Sequence, residues 1–313
     1  MCDNHASEIP DAAFRKQGIG MIPRIIHYCW FGKKKLPKEF QGYIDGWKKL
    51  CPDFEIREWN EKNLDINKSR YAREAYRAGK WAFVSDYARF RILYEYGGIY
   101  LDTDVELIKP LEELLKTCDE NGITGFMGIE RPETGDIAPG LITAATPHNP
   151  IIKDLLLGYK DRHFNLENGL KNLTSVVEYT TQYFNKQTHK LVQGKCINEI
   201  NKDDGVIDFP IKDRGLREAA LDSIGQQDET SNNNRDENEI GTKSFRIYPA
   251  EYFNPMDMST GKITITENTY SIHHYASSWV DGYSKLRGKI YKGIRRVFGK
   301  NTAEKVRSVI GKR

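Results

Sequence analysis

Two aspartates, Asp102 and Asp104, stand two residues apart at the end of a short apolar run, Gly97-Gly98-Ile99-Tyr100-Leu101. In a strand, residues i and i+2 point the same way at about 3.3 Å per residue, so the two carboxylates start about 6 to 7 Å apart at the backbone. One divalent cation spans that gap if the strand bends at its end, and Mg2+ is typically held by one or two carboxylates plus substrate phosphates. The chemistry on offer is a metal clamp for a phosphorylated substrate. An isolated Asp-x-Asp triplet also fits two solvated loop acids, so its context decides. Here the acids leave an apolar strand launched by two glycines, and open α/β sheets bind ligands outside the carboxyl ends of their strands.

Other residues gather around this reading. The preceding segment, Trp81 to Tyr96, has helical spacing in Phe83, Tyr87, Phe90 and Tyr94, while Asp86 and Arg89 share a different face. As a surface ion pair these two contribute less than about 1 kcal/mol. As site residues, Asp86 accepts hydrogen bonds from sugar hydroxyls and Arg89 offers its fork to a phosphate. Trp30 closes the apolar run Ile22 to Gly32, where a flat aromatic either stacks on a nucleotide base or fills the core. Late in the chain, Tyr270 to Trp279 holds the pair His273-His274 followed by Ser277 and Trp279, a candidate cluster of cation or phosphate ligands with an aromatic lid.

The elements that must position these groups begin at Ile22. Ile22 to Gly32 reads as a buried strand, Lys38 to Leu50 as a helix stopped by Cys51-Pro52, and Phe54 to Trp59 as a half-buried strand. A β-α-β start of this length predicts a parallel sheet. A short helix at 69–79, the helix at 81–96, a helix at 110–117 and a strand at 123–129 follow. Residues 138–145 read as loop then strand, a helix runs through Tyr159, and 164–190 is mixed helical. Strands return at 245–249 and 270–279, whereas 225–243 is too polar to bury and reads as a mobile surface loop.

The 313 residues suffice for one large domain, and 39 % hydrophobic with 29 % charged residues is a globular composition. No apolar run approaches a membrane span. Residues 1–20 lack the plan of a secretion signal and read as a flexible leader, with Met21 a conceivable natural start and a cytosolic location expected. The five cysteines have no paired spacing, which predicts reduced, mostly buried thiols. From Lys285 to Arg313 there are 11 Lys or Arg against Glu304 alone; within a chain total of +3, this +10 tail leaves −7 for the rest. Leu286, Ile290, Ile294 and Val297 recur among those cations at near-helical spacing, the pattern of an amphipathic helix on an anionic membrane. Nucleic acid is the competing partner for such charge, but no nucleic-acid-binding motif accompanies it.

Four ordered blocks, Ile22 to Gly32, Trp81 to Arg89, Gly97 to Asp104 and Ile272 to Trp279, together resemble the DXD-containing glycosyltransferase family 32, the capsular polysaccharide and Och1-like group, and more distantly the glucosyltransferase domain of large clostridial toxins. The match covers about residues 21 to 110 and 245 to 280. The resemblance implies an α/β GT-A fold, a single Rossmann-like domain over 21–284 with a mostly parallel sheet, followed by the basic helical tail 285–313. It also implies a nucleotide-sugar donor, Mn2+ or Mg2+, retention of anomeric configuration, and a glycan or lipid-linked acceptor. By the same resemblance Trp30 stacks on the base, with a lean to a UDP-sugar, and Asp86 and Arg89 hold the donor sugar. Asp102 touches ribose and sugar, Asp104 binds the metal directly, and His274, Ser277 and Trp279 bind metal and phosphate, although the toxin relatives carry glutamate where His274 stands. The 139–145 region lacks an asparagine expected near the donor sugar. Two other classes share these parts: a nucleotide-sugar-binding module without turnover, and a metal-dependent nucleotidyl- or phosphotransferase.

Overall fold

A computed structural model describes residues 20–166, 169–191, 197, 205–211, 243–257 and 260–276. The leader, the 225–242 stretch, Ser277, Trp279 and the tail lie outside the described residues. By internal contacts the chain divides into 1–274 and 275–313, and every described helix and strand belongs to the first unit.

In chain order the elements are β1 (Ile25–Cys29), α1 (Lys38–Leu50), β2 (Glu55–Trp59), α2 (Arg70–Arg77), α3 (Trp81–Tyr96), β3 (Gly98–Tyr100), β4 (Val105–Leu107), α4 (Glu112–Glu120), β5 (Ile123–Arg131), β6 (Asp136–Ile137), β7 (Thr143–Ala145), α5 (Pro150–Leu157), α6 (Val176–Leu191), β8 (Ile207–Pro210), β9 (Ser244–Tyr248), α7 (Ala250–Phe253) and β10 (Ser271–His273). The main sheet runs β2-β1-β3-β7-β5-β9-β8, with β6 on β5. β1 pairs parallel with β2 and β3, and β5 with β9. Because β7 is antiparallel to both β3 and β5, those two run the same way. The sheet is thus mostly parallel in direction, with β7 and β8 reversed, and the α/β class expected from the β-α-β opening holds.

Strand alternation divides the interior into two layers. Tyr100, Met127 and Phe245 pack with side chains of α2, α3, α5 and α6. Ile99, Leu101 and Phe126 point the other way, onto Ile44 and Trp47 of α1 and onto Leu114 and Leu115 of α4. The helix α1 buries Phe40, Ile44 and Trp47 at i, i+4 and i+7. Its Trp47 indole also donates to the Val105 carbonyl, 2.9 Å away, which anchors β4 just beyond the aspartates.

The turn between α3 and β3 depends on glycine. Gly98 has φ 91°, and a Cβ there would stand 2.7 Å from the Ile25 carbonyl oxygen. Behind it, the buried His27 ring meets the Gly97 carbonyl through Nε2 at 2.9 Å, and its Nδ1 accepts from the Trp59 indole at 3.0 Å. With Nδ1 accepting, the ring proton sits on Nε2 and is donated to Gly97. One neutral imidazole therefore ties β1, β2 and the turn that launches the aspartates. Among the described residues, Cys29, Cys51 and Cys118 are buried and unbridged; Cys2 and Cys196 lie outside them.

Candidate active site

The helix α3 is buried on several faces, at Val84 and from Asp86 to Leu93, which takes Asp86 and Arg89 into the interior. They are 7 % and 3 % exposed, so the surface ion pair considered from spacing alone does not describe them. Arg89 Nη2 donates to Asp86 Oδ1 at 2.9 Å and lies 3.4 Å from Asp102 Oδ1. Its Nε donates to the Ser85 carbonyl at 3.2 Å, and the guanidinium lies over the Tyr100 ring, 4.8 Å from its centre. The Tyr100 hydroxyl donates to Asp102 Oδ1 at 3.0 Å. Arg89 Nη1 is buried without a hydrogen-bond partner among the described residues. A buried donor left unpaired costs free energy, so this one is suited to a ligand oxygen.

The cluster holds two carboxylates and one guanidinium. Burial pushes the Asp86 carboxyl up to about 7, against the pull of Arg89 and with the help of Asp102. Burial alone would lower the Arg89 pKa, but Asp102, Tyr100 and Asp86 more than reverse it. Removing Arg89 would leave Asp86 and Asp102 without their shared cation, a loss of about 3 to 5 kcal/mol.

Gly140 backs this cluster. Its carbonyl accepts from the Asp102 N–H at 3.0 Å, and a Cβ at Gly140 would stand 2.0 Å from Asp102 Oδ2 and 3.1 Å from Arg89 Nη1. Only a residue without a side chain lets the chain pass this close to the acid.

Beyond Leu101 the chain leaves the main sheet, and β4 pairs antiparallel with β10. That register brings His273 to the acids, its Nε2 being 3.1 Å from Asp104 Oδ1. Ligand atoms of Asp102, Asp104 and His273 all lie within 4.8 Å of one another. Two carboxylates and an imidazole at this spacing fit a divalent cation that accepts oxygen and nitrogen donors. Burial lowers the His273 pKa, but the hydrogen bond and charge of Asp104, with Asp102 behind it, raise it overall.

Of the residues singled out from sequence, Asp86, Arg89, Asp102 and Asp104 come together. His274 does not join them. Its side chain turns to Glu106, with Nε2 2.8 Å from Oε2, and its ring stacks on Tyr43 at 4.8 Å and 8°. Successive residues of a strand point to opposite faces, so only one of two adjacent histidines faces the acids, and the pairing of β10 with β4 makes it His273. Trp30 lies just past the end of β1, partly exposed, with its indole N–H donated to the Lys34 carbonyl at 2.6 Å and its ring edge-on to Phe40. Sequence reasoning missed Tyr100, although alternation in Tyr100-Leu101-Asp102 puts the hydroxyl on the acid's face. Gly140 had no local signal.

Residues 37–120 match the family described as "Glycosyltransferase sugar-binding region containing DXD motif". A curated relative, "Uncharacterized glycosyltransferase L373" of Acanthamoeba polyphaga mimivirus, is 35 % identical over 101 residues, 30 % of this chain and 40 % of that protein. "Inositol phosphoceramide mannosyltransferase 1" of Schizosaccharomyces pombe is 28 % identical over 120 residues, 35 % of this chain and 36 % of that protein. The chain thus spans well under half the length of the curated relatives it matches. Among solved structures, "PaToxG Glycosyltransferase" shares 18 % identity at a TM-score of 0.40, covering 55 % of this chain and 71 % of that one. The matched residues 37–120 run from the start of α1 past the paired aspartates to the end of α4, so the likeness to the DXD-containing glycosyltransferase family takes in Asp86, Arg89, Asp102 and Asp104.

Proposed function

We propose that the protein is a metal-dependent glycosyltransferase on a GT-A scaffold, moving a sugar from a nucleotide-sugar donor, a UDP-sugar in the first instance, to a glycan or lipid-linked acceptor with retention of configuration. The observation that carries this reading is the convergence of Asp102, Asp104 and His273 beside the buried Asp86 and Arg89. Asp102, Asp104 and His273 would hold Mn2+ or Mg2+, which when bound supplies positive charge to the departing diphosphate. Arg89 adds a fixed guanidinium with Nη1 unspent, a preorganised donor of the kind that stabilises developing negative charge. Asp86, locked by Arg89, orients sugar hydroxyls; Trp30 offers a ring to the base, and Ser277 and Trp279 would add phosphate contacts. The names of two relatives, inositol phosphoceramide mannosyltransferases, support a lipid-linked acceptor. The resemblance to the capsular polysaccharide group supports a role in bacterial surface polysaccharide synthesis.

A panel of UDP- and GDP-sugars with Mn2+ tests the reading. Slow hydrolysis releasing free nucleoside diphosphate is expected; release of monophosphate or pyrophosphate would indicate a nucleotidyltransferase, and binding without turnover a binding module. Asp104→Ala is expected to abolish turnover at an unchanged melting temperature, and full activity in that variant refutes the metal site. The basic tail 285–313 would hold the enzyme on the inner face of the cell membrane, as a peripheral cytoplasmic protein. Deleting it is expected to weaken binding to anionic liposomes; undiminished binding refutes that role.

A further inference from the structure

Between α5 and α6 the chain makes a narrow loop closed by an antiparallel bridge between Asn165 and Lys171. The root of this loop is fixed. Phe164 is fully buried and packs on Tyr71 of α2 and Phe83 of α3, and the Asn172 N–H donates to the Phe164 carbonyl at 2.7 Å. The Asn165 N–H donates to Glu74 Oε2 at 2.9 Å. Its outer part inverts the usual pattern, for Leu166, Leu170 and Leu173 are 39 %, 62 % and 63 % exposed. The Leu166 N–H donates to the Leu170 carbonyl at 2.9 Å, which ties those two leucines to each other across the loop.

Single exposed leucines are ordinary, but three within eight residues on a rooted loop form a patch of the kind that marks an interaction surface. In sequence, 160–173 carries Lys160, Arg162 and Lys171 against Asp161 and Glu167, a net charge of +1. Three leucine side chains on one loop make a small patch, whereas a stable protein interface buries about 800 Å² per partner. A bilayer interface asks only for a few apolar side chains entering the acyl boundary, with cations left at the anionic headgroups. We propose that this loop is a membrane-docking element, inserting Leu166, Leu170 and Leu173 into an anionic lipid surface. Because Phe164 is seated on α2 and α3, the anchor is rigidly joined to the helix that carries Asp86 and Arg89. The inference rests on the loop alone and stands apart from the tail and from the catalytic reading.

The test uses the full chain with phosphatidylcholine/phosphatidylserine vesicles, and Leu170→Trp as a reporter. On adding vesicles, emission from the introduced indole is expected to shift to the blue and to be quenched by brominated phosphatidylcholine, after subtraction of the parent's own tryptophan signal. Replacing both Leu170 and Leu173, 62 % and 63 % exposed, by Asp is expected to lower the vesicle-bound fraction about tenfold at an unchanged melting temperature. The reporter decides the question even if the double variant folds poorly. An unshifted, unquenched emission overturns the proposal, whatever the bound fraction, since any binding then runs through another part of the chain. A parent chain that fails to bind vesicles overturns it too. A drop in apparent mass of the double variant on size exclusion would assign the leucines to contact between copies, and would likewise overturn it.

Discussion

His273 and His274 are chemically identical and adjacent, yet the fold gives them different work. His273 meets Asp104, and His274 meets Glu106 and Tyr43. If His273 is the third metal ligand, His273→Ala lowers Mn2+ affinity by about 10- to 100-fold, the range found when groups supporting a metal site are removed. The Mn2+ dependence of the thermal unfolding shift measures it, and His274→Ala serves as the matched control with little change expected. Equal losses in both variants would mean that the pair acts only by holding β10 to β4. At this scale the sequence was half legible. The Asp pair stood out because glycines and an apolar run frame it locally, whereas the choice between histidines depends on pairing across 169 residues.

Among the elements, α1 and α3 have the bounds that their spacing and stop signals predict, Lys38–Leu50 and Trp81–Tyr96. Helix spacing and stop residues act over a few neighbours, so they can be read along the chain. The stretch 138–145 was harder. Its strand is only Thr143–Ala145, and its main contribution is the bare backbone of Gly140 behind Asp102. Gly140→Ala is expected to push Asp102 and Arg89 out of place and to lower turnover by about 100-fold, the loss that a misplacement of about 1 Å brings. The melting temperature should fall much less than activity. A variant with parental kcat would show that the loop yields, and that Gly140 does not position the acid.

For the molecule as a whole, the neutral His27 makes stability depend on pH. Burial pushes its pKa down to about 3, Arg57 acts in the same direction, and the hydrogen bond to Gly97 opposes them. In the unfolded chain the imidazole binds its proton near 6.5. Between those values the unfolded state holds more protons, so this group's contribution is complete above about 6.5 and is lost as pH falls toward 3, at no more than about 1.4 kcal/mol per pH unit. Asp86 runs the other way, because its raised folded pKa binds more protons in the native state below about 7. The comparison with His27→Gln isolates the histidine. Melting temperatures from pH 4 to 8 should show the parent losing stability on acidification more steeply than the variant, and parallel curves would refute the role.

The sequence by itself determined the α/β class, the parallel β-α-β opening, the order of the blocks and the paired aspartates leaving a glycine turn, because periodicity, caps and turns are properties of near neighbours. Only the tertiary structure decided that Asp86 and Arg89 are buried, that Tyr100 and Gly140 hold Asp102, and that His273 is the histidine at the acids. Those outcomes rest on strand register and on close approach between segments far apart in the chain, and neither is encoded in any one stretch of it.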